Sequence, residues 1–161
     1  MQLTDFTSAD AIRAIIGISV DEVSDTTLAL PIYLQNLVLS LEDIYVDLPS
    51  VYMSYSALAT KTVLEQKLID IVQVFSAHQS GKFLFAGSLF FPKTITDGRA
   101  SVTRFDISES LRDDIDKALV AIRRRLKLLL ITLGLLPAEV STNRNYFGVA
   151  GLAVDPITNL R

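Results

Sequence analysis

Residues 92–133 read PKTITDGRASVTRFDISESLRDDIDKALVAIRRRLKLLLITL, and this stretch decides the fold. Its opening part, Thr94–Arg104, places Asp97-Gly98 between β-branched runs, a strong short-range hairpin signal. Beyond it, the spacing of the apolar residues predicts a long helix from about Ser108 to Leu133. Ile107, Leu111, Ile115, Leu119, Ile122, Leu126, Leu129 and Leu133 recur at steps of three and four. That is one apolar stripe on a helix of about 3.6 residues per turn. Gly134 comes after the last apolar position, where a left-handed residue closes helices, and Pro137 blocks continuation. The remaining helices are expected to pack on this stripe, with the hairpin and the chain's end reaching away from it.

Towards the N-terminus the chain carries further helical patterns. Ser8 can cap a short helix, Ala9–Ile16, closed by Gly17. An acidic turn-rich connection leads to a second helix, capped at Asp25 or its neighbour and running to about Asp47, with a restart or kink at Pro31. In it Leu30, Leu34, Leu37, Leu41 and Ile44 form one stripe, while Ile32, Tyr33, Val38, Leu39 and Tyr45 cover much of the other side. A helix apolar on two sides is either the centre of a bundle or partly turned towards another subunit. Residues 48–60 lack a strong period and read as a connection. Thr62-x-x-Glu65 is a capping box opening a third helix to about Gly87, with Gly81 as a weak point inside it. The final residues, 135–161, have no helical period. They nevertheless carry Tyr146, Phe147, Val149, Leu152, Val154 and Ile157, so they read as an extended arm that docks on its own core or on a partner.

The expected architecture is therefore mainly α. It is a four-helix bundle-like domain over residues 1–134, with a small β-hairpin at 93–104 and an extended C-terminal arm at 135–161. At 161 residues, half of them hydrophobic, one domain with a real core is expected. The net charge of −3 gives no whole-chain case for nucleic-acid binding. The charge is uneven, however. Residues 1–60 hold eight acids and one base, Arg13, whereas residues 61–161 hold ten acids and fourteen bases. Such asymmetry suits either attraction between the halves or head-to-tail contact between identical subunits.

Chemistry is sparse. There is no cysteine, which excludes disulfides, thiolate metal sites and cysteine nucleophiles. His78 is the single histidine, so a histidine-rich metal site is excluded, and a structural role is expected for it. The acidic pairs Glu42/Asp43 and Asp113/Asp114 sit at adjacent helix positions, which diverge by about 100° and make no catalytic dyad. No Walker loop, GxSxG or GxGxxG is present. The one basic cluster is Arg123, Arg124, Arg125 and Lys127. Arg123 and Lys127 share a helix face, and Lys117 and Arg124 share another. These faces are expected to be solvated, offsetting the helix dipole at its C-terminal end, or to make inter-subunit charge contacts, with phosphate contact inside a DNA-carrying channel as the further alternative. The N-terminus lacks the basic and apolar regions of a signal peptide, and no run is long and apolar enough to cross a membrane. A soluble protein made in the cytoplasm is expected.

The order of these pieces resembles one known family. A Ser-capped helix, SDTTLALPIYLQNLVLSLEDI, a long helix, FFPKTITDGRASVTRF, the long amphipathic helix and GLAVDPITN succeed one another. In this order the chain resembles the head–tail connector adaptor, or head-completion, proteins of tailed bacteriophages, over roughly residues 8–158. The resemblance implies a structural virion neck protein with no enzymatic activity and no cofactor. It implies a homo-oligomeric ring, typically a dodecamer, docked under the portal protein. Such a ring extends the DNA channel and bridges the head to the next neck or tail-completion protein, with DNA passing through the lumen and no membrane contact. Carried onto this sequence, Thr94, Ile95, Thr96, Asp97, Gly98, Arg99, Val102 and Arg104 would contact neighbouring subunits. Tyr146, Phe147, Val149, Leu152, Val154, Asp155, Pro156 and Ile157 would engage the portal or an adjacent copy. The expected location is the virion neck, after synthesis in the host cytoplasm. The alternative is a helical regulatory module that grips another partner through its arm.

Overall fold

The computed structural model describes residues 1–21, 23–86, 95–97, 100–102 and 105–137, and the backbone alone at residues 86, 95–97, 100–102 and 105–109. The protein is mainly α. After a 3-10 turn at Leu3–Asp5 come α1 (Ala9–Ile16), α2 (Asp25–Leu28), α3 (Pro31–Glu42), α4 (Leu48–Ala57), α5 (Val63–Ala86) and α6 (Phe105–Thr132). Six helices thus stand among the described residues where four were expected, and two local causes account for the difference. Pro31 occupies the first turn of α3, where its missing N–H costs nothing, and it splits the expected second helix in two. Residues 48–57, read as a connection, instead form α4. Pro49 sits in its first turn, and Leu48, Pro49 and Tyr52 turn inward although the helix has no clear apolar period.

The helix ends are set by their capping residues. The Ser8 hydroxyl accepts from the Ala11 N–H at 3.1 Å. Thr62 and Glu65 cap each other: the Thr62 N–H donates to Glu65 Oε2 at 2.6 Å, and the Glu65 N–H donates to Thr62 Oγ1 at 3.3 Å. Gly134 has φ +72°, and the Leu135 N–H reaches back to the Leu130 carbonyl at 2.9 Å. The Gly134 N–H bonds the Ile131 carbonyl at 3.0 Å, which completes a Schellman closure of α6.

The packing centre is α5 rather than α6: α1, α3, α4 and α6 each pack against α5. Consecutive positions Phe75, Ser76 and Ala77 are all buried, as are Gln79 and Ser80. Successive side chains diverge by about 100°, so this helix is covered from several sides. Gly81 marks a close approach of α1. A Cβ there would lie 3.1 Å from Ile16 Cγ2 and 3.6 Å from Ile15 Cγ2, which is why a glycine is tolerated in mid-helix. On α6, Ile115, Leu119, Leu126 and Leu130 are buried, while Leu111, Ile122, Leu129 and Leu133 pack half-buried beside them. Leu130 was outside the expected stripe and is fully covered, because the helix presents a band wider than a single row.

Two further ties position the N-terminal half. Phe6 stacks on Tyr52 with ring centroids 5.0 Å apart. The Tyr52 hydroxyl donates to the Asp5 carbonyl at 2.8 Å and accepts from Gln73 Nε2 at 3.4 Å, linking the first turn to α4 and α5. Arg13 is buried and clamps three acceptors: the Val23 carbonyl at 3.1 Å, Asp25 Oδ1 at 2.7 Å and Asp10 Oδ1 at 2.8 Å. Those hydrogen bonds to Asp10 and Asp25 raise its pKa above the ordinary arginine value.

Residues Ile95–Asp97 and Ala100–Val102 pair antiparallel, with Ile95 opposite Val102 and Asp97 opposite Ala100. Three pairs are too short a ladder to establish the small β-hairpin expected over residues 93–104, whose turn and flanks lie outside the described residues. The arm proper lies outside them too, beyond Pro137.

Candidate interaction surface

The most conspicuous surface feature is the outer side of α3. Leu37 and Leu41 are fully buried against the core, while Ile32 and Leu39 stand 53% and 59% exposed. Ile32, Gln35, Leu39, Glu42 and Asp43 fall within an arc of about 100° at 3.6 residues per turn. Val46, 74% exposed, comes just after the helix, with exposed Asp47 beside it. The face is therefore an apolar row ending in acids. Glu42 and Asp43 form no ion pair among the described residues.

A second such face lies on α6, opposite its buried stripe. Val120 and Leu128 are 69% and 57% exposed. Lys117, Val120, Arg124, Lys127 and Leu128 lie within an arc of about 100°, so this apolar pair is set mainly among bases, with exposed Asp113 on the same arc one turn before Lys117. Lys117 Nζ is 3.6 Å from Asp114 Oδ1, an exposed pair of little energetic weight. Arg124, Arg125 and Lys127 are exposed and have no ion-pair partner among the described residues. Arg123 turns back towards the body, its guanidinium carbon 5.7 Å above the centre of the Phe75 ring. The basic cluster thus divides between a contact with α5 and an outward face.

The other sequence candidates disperse. Ile95, Thr96, Asp97 and Val102 lie in the two short strands. Thr94, Gly98, Arg99, Arg104 and the arm residues Tyr146, Phe147, Val149, Leu152, Val154, Asp155, Pro156 and Ile157 lie outside the described residues. His78 is half-buried, and its Nδ1 lies 2.8 Å from the Val74 carbonyl, one turn back on α5. It borders a shallow α1–α5 groove lined by Ala11, Ala14, Ile15 and Ala77, with no carboxylate in the lining. Asp116 Oδ1 meets Lys82 Nζ at 2.6 Å, a half-exposed tie between α6 and α5, while Asp113 and Asp114 are exposed. A cleft of about 500 Å³ lies between the N-terminal turn, α2 and the start of α3, lined by Leu3, Thr7, Asp25, Leu28, Pro31 and Leu34 among others. Among the described residues, no cluster of three His, Asp or Glu side chains could hold a metal ion. No helix among them is long and apolar enough to cross a membrane.

Sequence reasoning singles out the doubly apolar α3 but misses Val120 and Leu128. Their signal is present: two apolar residues eight apart on the polar side of an otherwise amphipathic helix. Compared with described protein families, curated proteins and solved structures, the chain has no match.

Proposed function

We propose that this chain is a structural, non-enzymatic subunit of a bacteriophage virion neck, a head–tail connector adaptor. In this reading its copies form a ring, a dodecamer by resemblance, under the portal protein. The ring extends the DNA channel and presents the platform for the next neck or tail-completion protein. It needs no cofactor. DNA passes through the lumen without sequence-specific contact, and the chain reaches the virion from the host cytoplasm. The hairpin region 93–104 and the arm 135–161 supply contacts to neighbours and portal, together with the outward bases of α6.

The observation that carries this reading is the pair of faces on α3 and α6 that stand exposed among the described residues. Exposed leucine, isoleucine and valine gathered on helix faces mark association surfaces rather than ordinary solvent-facing surface. The two faces are opposite in sign, which suits a heterologous, head-to-tail contact. The order of elements that resembles the adaptor family supports the same reading.

Electron microscopy of the purified protein, alone and mixed with its candidate portal, tests it. Closed rings stacked coaxially on the portal are the expected result. Monomers that ignore the portal at micromolar concentration would sink it. They would favour instead a helical module that binds another partner, for which the N-terminal cleft is a starting point.

A further inference from the structure

We propose that the exposed face of α3 in one copy docks antiparallel against the exposed face of α6 in a second copy. This deepens the self-assembly of the proposed function and rests on it. The two faces match residue by residue. When Leu39 is set opposite Val120, Glu42 lies three residues beyond on α3 and Lys117 three residues before on α6, so acid meets base. In the other direction, Gln35 and Arg124 each lie four residues away, which places an amide oxygen near a guanidinium. Ile32 then falls about 10 Å along from Leu39, and Leu128 about 12 Å along from Val120, at 1.5 Å of rise per residue. Apolar side chains thus meet apolar ones at both ends of the contact, with the polar pairs between and beyond them.

A second copy is favoured as the occupant because this chain carries both complementary halves. Within one subunit the faces cannot meet, since each lies on the side of its helix away from the core they share around α5. Like-with-like docking is disfavoured: α6 on α6, antiparallel, would set Lys117 against Lys127, and α3 on α3 brings acids without a single base, so neither gains the charge pairs of the mixed contact. Two different patches on one molecule make a heterologous contact, which closes into a ring or extends as a filament. A single helix-on-helix contact is small compared with the interfaces of stable dimers. Pairs of copies should therefore be weak, and closure or a template should drive assembly.

The absence of cysteine gives a clean test in the full-length chain. Leu39→Cys and Val120→Cys proteins, one carrying a size tag, are mixed and mildly oxidised, with Ser54→Cys on exposed α4 as the collisional control. All three positions are exposed, and circular dichroism verifies that each variant is folded. The expected result is a mixed disulfide dimer that dominates both self-dimers, and a ladder of multimers from the doubly substituted Leu39→Cys/Val120→Cys chain. Adding Glu42→Lys and Asp43→Lys to the first protein should cut the mixed product about tenfold, the effect of losing and reversing charge pairs at a modest interface. Adding Lys117→Glu and Arg124→Glu to the second protein should restore it. A mixed product no more abundant than the Ser54→Cys control, or self-dimers in excess of it, overturns the proposal. If rings form on the portal without the mixed product, the face assignment falls and the neck reading stands. If the mixed product forms but no portal is bound, the face assignment stands and the neck role falls.

Discussion

Replacing Gly81 by leucine sets two effects of opposite sign against each other at one position. Within the 24-residue helix α5, glycine costs roughly 1 kcal/mol relative to a good helix former, so propensity alone favours the substitution. Packing opposes it. The new Cβ would already stand 3.1 Å from Ile16 Cγ2, and leucine carries three more carbons into the same seam with α1. Overpacking of this kind costs up to about 3 kcal/mol, which leaves a net loss of about 2 kcal/mol. The ceiling is the undocking of α1, which would expose Ile12 and Ile16, now 0% and 4% accessible. Full exposure of two such side chains costs about 6 kcal/mol at most. Urea unfolding monitored by circular dichroism measures the net change, which for a chain of this size corresponds to about 6 °C in Tm. Hydrogen exchange should show the extra opening concentrated in residues 9–16. Gly81→Ala, with a single added carbon against the side chain of Ile16, should stay within about 0.5 kcal/mol of wild type, because gain and contact nearly offset. A leucine variant as stable as wild type, with α1 amides equally protected, would refute the close approach of α1 to α5.

Leu126→Asp should be severely destabilising, by at least about 4 kcal/mol, because it places an unpaired carboxylate in a fully buried position on α6; a mutant melting within a few degrees of wild type would show that this stripe does not face the core. Arg13→Met should lower Tm by releasing α1 from Asp25 and from the Val23 carbonyl. The folded-state pKa of Arg13 is raised above its already strongly basic ordinary value, so its contribution is fully present below that ordinary value and is lost only as pH rises through the folded pKa. The Tm difference between wild type and Arg13→Met should therefore stay flat across the neutral range of a pH series, and a difference that shrinks steadily on going from mildly acidic to mildly alkaline pH would contradict it. Removing residues 146–161 should leave the helical circular-dichroism signal in place while abolishing binding to the portal; collapse of that signal would place these residues in the core.

Capping chemistry was the most legible part of the chain, because it is local. Ser8, the Thr62–Glu65 box, Gly17 and Gly134 bond or bend the backbone within three to five residues, and each ends or starts a helix as its residue type dictates. The break at Pro31 was legible for the same reason. Helix α4 was not. Its inward residues Leu48, Pro49 and Tyr52 are separated by Ser50 and Val51 and followed by Met53, Ser54 and Tyr55, so no period stands out until Phe6 and the Asp5 carbonyl supply partners for Tyr52. The candidate surface was half legible. Two apolar sides on α3 and a cluster of bases on α6 are sequence facts, whereas the exposure of Ile32 and Leu39, and the turning of Arg123 onto Phe75, depend on neighbours distant in the chain.

The sequence by itself determined that the protein is mainly helical, where most of its helices begin and end, and which side of α6 is apolar. These are consequences of local hydrogen bonding and of a side-chain period that a single helix already possesses. Tertiary structure alone decided that α5 rather than α6 is the helix the others pack on. Leu68, Val72 and Phe75 are no more apolar than the residues of the α6 stripe. What distinguishes α5 is that small residues, Ser76, Ala77, Ser80 and Gly81, let neighbouring helices approach it from several sides. Whether a small residue lies against solvent or against another helix is a property of the packed molecule, since a missing side chain leaves no period to read.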